Sequence, residues 1–188
     1  MKFTMNSTKA YLLVWLGAVG LALALAVVSP NESRVMGHFP TFLSKTLSHQ
    51  PVIVPQGLPA DRTLALITFQ RDQRGQAESW IDGLNLKNDP SIAWMRITIV
   101  NDPGTPLGRS EVEDRLLQRY TGATERANLV PVFTDRADFV RAASLNGVAQ
   151  AHAVVVNRQG EVLARVEGKF DAEKARLLLD TLRARDPR

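Results

Sequence analysis

The sequence predicts an α/β fold: one mixed sheet with helices on both faces, preceded by one N-terminal transmembrane helix. Three observations lead there. Apolar stretches of strand length alternate with stretches whose apolar residues recur at helical spacing. The chain closes on two β-rich runs joined by Asn157-Arg158-Gln159-Gly160, a turn suited to antiparallel partners, and then a helix. Ahead of all this stands a run without a charge, Tyr11 to Val28.

That run, YLLVWLGAVGLALALAVV, reaches the lower part of the range for spanning a bilayer as a helix. Tyr11 lies at its start, where an interfacial ring is favourable. A cleaved signal peptide is the competing reading, since Ala24-Leu25-Ala26 fits a small-x-small cleavage site. The run is longer than the roughly 7–15 residues of a signal core, however, and a cut after Ala26 would leave Val27 and Val28 exposed. An uncleaved anchor is favoured. Lys2 and Lys9 on its short side place the N-terminus in the cytoplasm. The rest of the chain is then expected in the periplasm, held on the inner membrane of a Gram-negative cell. The organisation reads as an anchor over 1–29, a polar linker over 30–38 and a domain over 39–188.

Within the domain, Val52 to Val54 lies between Pro51 and Pro55, which suits an edge strand. Leu64 to Phe69 is apolar on both faces, as a buried strand is. Asp72 to Leu86 places Ala77, Trp80, Ile81 and Leu84 at helical spacing. Ile92 to Val100 is β-rich, and Arg96 and Thr98 predict that one of its faces is less buried. Ser110 and Glu113 form a capping box that opens a helix with Val112, Leu116, Leu117 and Tyr120 on its apolar face. Leu129 to Phe133 is a further strand, and Asp135 begins a short helix. Strands at Ala153 to Val156 and Glu161 to Val166 precede a last helix opened by Asp171.

Composition excludes several chemistries. There is no cysteine among the 188 residues, which removes disulfides, thiolate metal sites and cysteine nucleophiles. His38, His49 and His152 are far apart and form no paired-ligand spacing; Met36 and His38 alone are too little for a soft-metal site. No cofactor or metal is expected. The net charge is +4, half of it from Lys2 and Lys9, and basic clusters interleaved with aromatic residues are missing, so nucleic acid is not the expected partner.

The order of elements, with its closing hairpin and helix, resembles the thioredoxin fold over about Phe39 to Leu182. The piece FPTFLSKTLSHQPVIVPQGLPADRTLALITF is similar to the peroxiredoxin and TlpA-type branch, where a short hairpin precedes the first core strand. The long stretch Asn101 to Asn128 and the closing VVVNRQGEVLARVEGKFDAEKARLLLDTL resemble the same group. The resemblance implies a Cys-x-x-Cys shortly after Phe69; this chain has Arg74-Gly75-Gln76-Ala77 there. It implies a cis-proline before the closing hairpin, and His152 falls at that position. Both marks of thiol–disulfide chemistry are absent, so a redox-inactive domain is expected.

Arg71, Asp72, Gln73, Arg74 and Gln76 gather at the start of a helix, where Asp72 can cap and the arginines can face an anion. Trp80 follows further along that helix, and the resemblance sets His152 beside the Arg74 loop. Two readings follow. In the first, the domain is a non-enzymatic interaction or assembly module that receives a membrane or exported protein in the groove of the fold. In the second, Arg71, Asp72, Arg74 and His152 surround an anionic small molecule, as a binding protein or a non-thiol enzyme.

Overall fold

In the computed structural model, residues 35–184 are described; the proposed anchor lies outside them. Among the described residues, no helix is long and apolar enough to cross a membrane.

Among the described residues, seven strands form two sheets. Strands β1 (Phe42–Lys45) and β2 (Pro51–Val54) make an antiparallel hairpin with Leu43 opposite Ile53. The main sheet has five strands in the order β5-β4-β3-β6-β7. They are β3 (Arg62–Thr68), β4 (Trp94–Val100), β5 (Leu129–Phe133), β6 (His152–Asn157) and β7 (Val162–Glu167). The first three run parallel; β6 and β7 are antiparallel to their neighbours. Helices α1 (Arg74–Gly83), α2 (Pro106–Arg119), α3 (Ala123–Ala127), α4 (Arg136–Ala142) and α5 (Ala172–Arg183) complete the domain.

Strand β3 is central because its residues are apolar on both sides. Ala65 and Ile67 join Phe39, Ile97, Val154 and Phe139 of α4 in one core. Leu64 and Leu66 join Ala77, Trp80 and Ile81 of α1 and Leu178 of α5 in the other. Alternation along a strand thus sends successive side chains to opposite helical layers. The turn after β6 closes as expected: Gly160 has φ of 87°, and Asn157 Oδ1 accepts from the Glu161 backbone N–H at 2.8 Å.

Several details differ from the sequence reading. Strand β2 pairs only with β1 and stays out of the main sheet. The hairpin is tied to β5 by Ser44 Oγ donating to Pro131 O and by Leu47 N–H donating to Leu129 O. The stretch ahead of Phe39 is not a free linker from residue 35 on: Met36 N–H donates to Val162 O, and Val162 N–H to Gly37 O. These bonds cover the start of the exposed edge of β7, which would otherwise leave backbone groups unpaired. Helix α2 begins at Pro106, with Thr105 Oγ1 accepting from Gly108 N–H, and not at Ser110. A threonine cap followed by proline at the first helical position is the stronger start signal, and Ser110 falls inside the helix. Arg96 is the largest departure. It is 3% exposed, on the face of β4 expected to be less buried.

Candidate functional site

Phe69 follows β3, and a short 3-10 turn, Arg71–Gln73, leads into α1. This entry has two sides, built on opposite principles.

On the β6 side, glutamines close the structure. Gln73 is 1% exposed. Its Oε1 accepts from the backbone N–H groups of Phe69 at 2.7 Å and Gln70 at 3.2 Å, while its Nε2 donates to Val148 O at 2.7 Å. Gln73 therefore does the work expected of Asp72. Asp72 is exposed and makes no hydrogen bond or ion pair among the described residues, because a longer amide reaches back over the turn and forward to a second segment at once. Gln70 Nε2 also donates to Val148 O at 3.3 Å, and Gln76 Oε1 accepts from Ala151 N–H at 2.7 Å. Ala151 O in turn accepts from Gly168 N–H at 2.8 Å. Both backbone groups of Ala151 are satisfied within the chain, so the segment before β6 offers no open pair there to an extended partner.

His152 belongs to this closed side. It is 3% exposed; its Nε2 donates to Gly147 O at 2.9 Å, and its ring meets Phe69 edge-on at 6.0 Å between centroids. Burial pushes its pKa below the ordinary histidine value, only partly opposed by the Gly147 carbonyl and Glu167. Trp80 is also buried. Its Nε1 donates to Gly168 O at 2.9 Å and its ring packs edge-on against Phe170. The Phe170 ring sits so close to Gly83 that a Cβ there would lie 2.6 Å from it.

On the β4 side, the same entry opens into a cleft of about 380 Å³. Its floor is the carboxyl ends of the parallel strands β3 and β4, with Thr68 and Thr98 paired hydroxyl to hydroxyl at 3.1 Å. Crevices at the carboxyl ends of parallel strands are the usual ligand positions in open α/β sheets. Five arginines line the cleft: Arg71 and Arg74 from the entry, Arg115 and Arg119 from α2, and Arg136 from the start of α4. No lining residue is acidic. Apolar walls come from Phe69, Ile99, Val100, Val112 and Leu116.

The arginines are not equally committed. Arg74 lies over the Tyr120 ring, with Cζ 4.8 Å from its centroid, and Nε 3.5 Å from Glu78. Buried Arg96 shares both partners, 5.1 Å from the Tyr120 centroid and 3.0 Å from Glu78. One carboxylate oxygen thus supplies counter-charge to two guanidinium groups, while Arg96 Nε and Nη2 and Glu78 Oε1 make no hydrogen bond among the described residues. Arg136 Nε donates to Ile99 O at 3.4 Å. The side chains of Arg71, Arg115 and Arg119 make no hydrogen bond or ion pair among the described residues.

Of the residues singled out in the sequence, the structure brings Arg71 and Arg74 to the cleft; Asp72, Gln76, Trp80 and His152 do not line it. Sequence reasoning missed Arg115, Arg119, Arg136 and the Thr68–Thr98 floor. Arg115 and Arg119 did carry a signal, being four residues apart on one helix face. Among the described residues no cluster of three metal-ligating side chains occurs.

No protein-family model matches the sequence, and no curated protein does. Solved structures do match. BsSco, a member of the Sco family of cytochrome c oxidase assembly proteins, is similar with a TM-score of 0.52 at 13% identity, over 77% of this chain and 91% of that one. A candidate electron transfer protein from Aquifex aeolicus VF5 reaches 0.55 at 13% identity, over 79% and 94%. A candidate electron transport protein from the same organism reaches 0.54 at 13% identity, over 79% and 96%. At these identities the likeness is one of fold. The chain has a thioredoxin-like fold, and with no cysteine it has no thiol chemistry of its own.

Proposed function

We propose that this chain is a thiol-free binding module, tethered by residues 11–28 to the inner membrane with its domain in the periplasm, that recognises an anionic ligand in the arginine cleft. The observation that carries this reading is the cleft itself: five guanidinium groups and no acidic side chain around one cavity at the strand ends. Unbalanced like charge is unfavourable in a compact state, and an anion relieves it. The cleft contains no histidine and no carboxylate to move a proton, which favours binding over catalysis. The test is calorimetric titration of small anions into the full-length protein and into Arg71→Gln/Arg115→Gln. Salt-sensitive binding by the first and not the second supports the reading; equal behaviour of the two sinks it.

A membrane or exported protein partner, with this domain as an assembly component, is the second reading. Leu43 and Ile53 favour it: they face each other across the hairpin and remain 78% and 49% exposed. BsSco, of the same fold, belongs to a family of assembly proteins. Purification from mildly solubilised membranes tests it. A stoichiometric partner lost on Leu43→Ser/Ile53→Ser supports an assembly role, and a protein that comes away alone removes it.

A further inference from the structure

Resting on the anion-binding reading of the cleft, we infer that its ligand is a phosphorylated organic molecule, with at least two phosphoryl charges at one end and an apolar remainder at the other.

Charge density is the first argument. Five arginines surround a space of about 380 Å³, and three of them, Arg71, Arg115 and Arg119, have no ion-pair partner among the described residues. Carboxylates bring one charge each, whereas a phosphoryl group concentrates close to two on a single tetrahedral centre. A diphosphate therefore places enough negative charge within the cleft without filling it. The guanidinium fork also matches adjacent phosphoryl oxygens with two parallel hydrogen bonds.

The second argument is the polarity of the lining. Guanidinium groups donate and never accept. Thr68 and Thr98 already spend a hydroxyl bond on each other. A peptide laid in the cleft would bring backbone N–H donors that find few acceptors, and each buried unpaired donor is costly. A phosphoryl group at neutral pH is almost purely an acceptor. Its needs and those of the wall coincide.

The apolar side supplies the third. Ile99, Val100, Val112 and Leu116 line the same space as the arginines. A free inorganic anion would leave them uncovered, while an organic remainder would bury them. The volume lies within the range of small-molecule sites, about 300–1,000 Å³.

The experiment titrates the full-length protein, in nonionic micelles, with inorganic pyrophosphate, citrate, a hexaglutamate peptide and geranyl pyrophosphate. Pyrophosphate is expected to bind at least about tenfold tighter than citrate or the peptide, and geranyl pyrophosphate tighter again. Arg71→Gln/Arg115→Gln should weaken both phosphoryl ligands tenfold or more, with unfolding unchanged. Arg71→Lys/Arg115→Lys, which keeps charge and loses the fork, should recover only part. If citrate or hexaglutamate matches pyrophosphate, the phosphoryl assignment falls while the anion reading stands. If geranyl pyrophosphate binds no tighter than pyrophosphate, the apolar half falls. If no anion binds, both readings fall together.

Discussion

The two sides of the entry to α1 are a few residues apart in sequence and differ in how their polar groups are treated. Facing β6, the glutamine cluster is spent on internal partners: Gln73 bridges Phe69 and Val148, and Gln76 holds Ala151. Facing β4, charge is gathered and left without counter-charge on Arg71, Arg115 and Arg119. A satisfied network stabilises and specifies; an unsatisfied cluster of one sign costs stability and is worth keeping only for a ligand. The open side is the one built from both sequence-adjacent and distant arginines.

Four substitutions would break or sharpen this contrast. Gln73→Ala is expected to have the largest effect on stability, about 3 kcal/mol, because it strands the N–H groups of Phe69 and Gln70 and the Val148 carbonyl. Urea unfolding measures it, and a loss below about 1 kcal/mol would mean that water replaces the amide without cost. Glu78→Gln follows, at about 2 kcal/mol, since it removes the carboxylate shared by Arg74 and buried Arg96. The same measurement reads it; an unchanged midpoint would show that Tyr120 alone holds Arg96.

Gln76→Ala should cost about 1 kcal/mol and expose the Ala151 N–H to hydrogen exchange, which is the sharper readout. If exchange at Ala151 stays slow, that side is closed by packing and not by the glutamine. Arg71→Gln/Arg115→Gln should move stability by less than about 0.5 kcal/mol while removing anion binding, since neither side chain has a hydrogen-bond or ion-pair partner among the described residues. A large loss of stability would place these arginines on the structural side of the comparison.

His152 adds a pH dependence confined to the closed side. Its folded pKa lies below the unfolded value of 6.5 because burial disfavours the imidazolium. As pH falls through the unfolded value, the unfolded chain takes up the proton first, so stability declines below about pH 6.5 and stops declining once the folded pKa is passed. His152→Gln should flatten that part of the profile. Thermal unfolding at a series of pH values between neutral and mildly acidic checks it. A profile identical to the parent would assign the decline to other groups.

Local pattern decided the five strands of the main sheet and the starts of α4 and α5, because the physics there is local: Asp171 accepts from Glu173 N–H and Lys174 N–H where a cap was expected. Leu64 to Phe69, apolar on both faces, reads as a buried strand. The absence of thiol chemistry also needed nothing beyond composition, since a missing residue type is missing everywhere in the fold. The two arginines nearest Phe69 were legible as candidates for the same reason of proximity.

Only the tertiary structure decided what those candidates are for. Arg96 reads as a solvated position until Glu78 and Tyr120, 18 and 24 residues away along the chain, meet it beneath α1 and α2. Whether a polar side chain is spent or free depends on partners that folding brings from elsewhere. Gln73 and Gln76 are spent on residues about 75 positions distant, and no spacing rule relates them. The cleft joins arginines from three separate elements for the same reason: convergence at the end of a sheet is a property of strand order, and strand order is set by long-range packing.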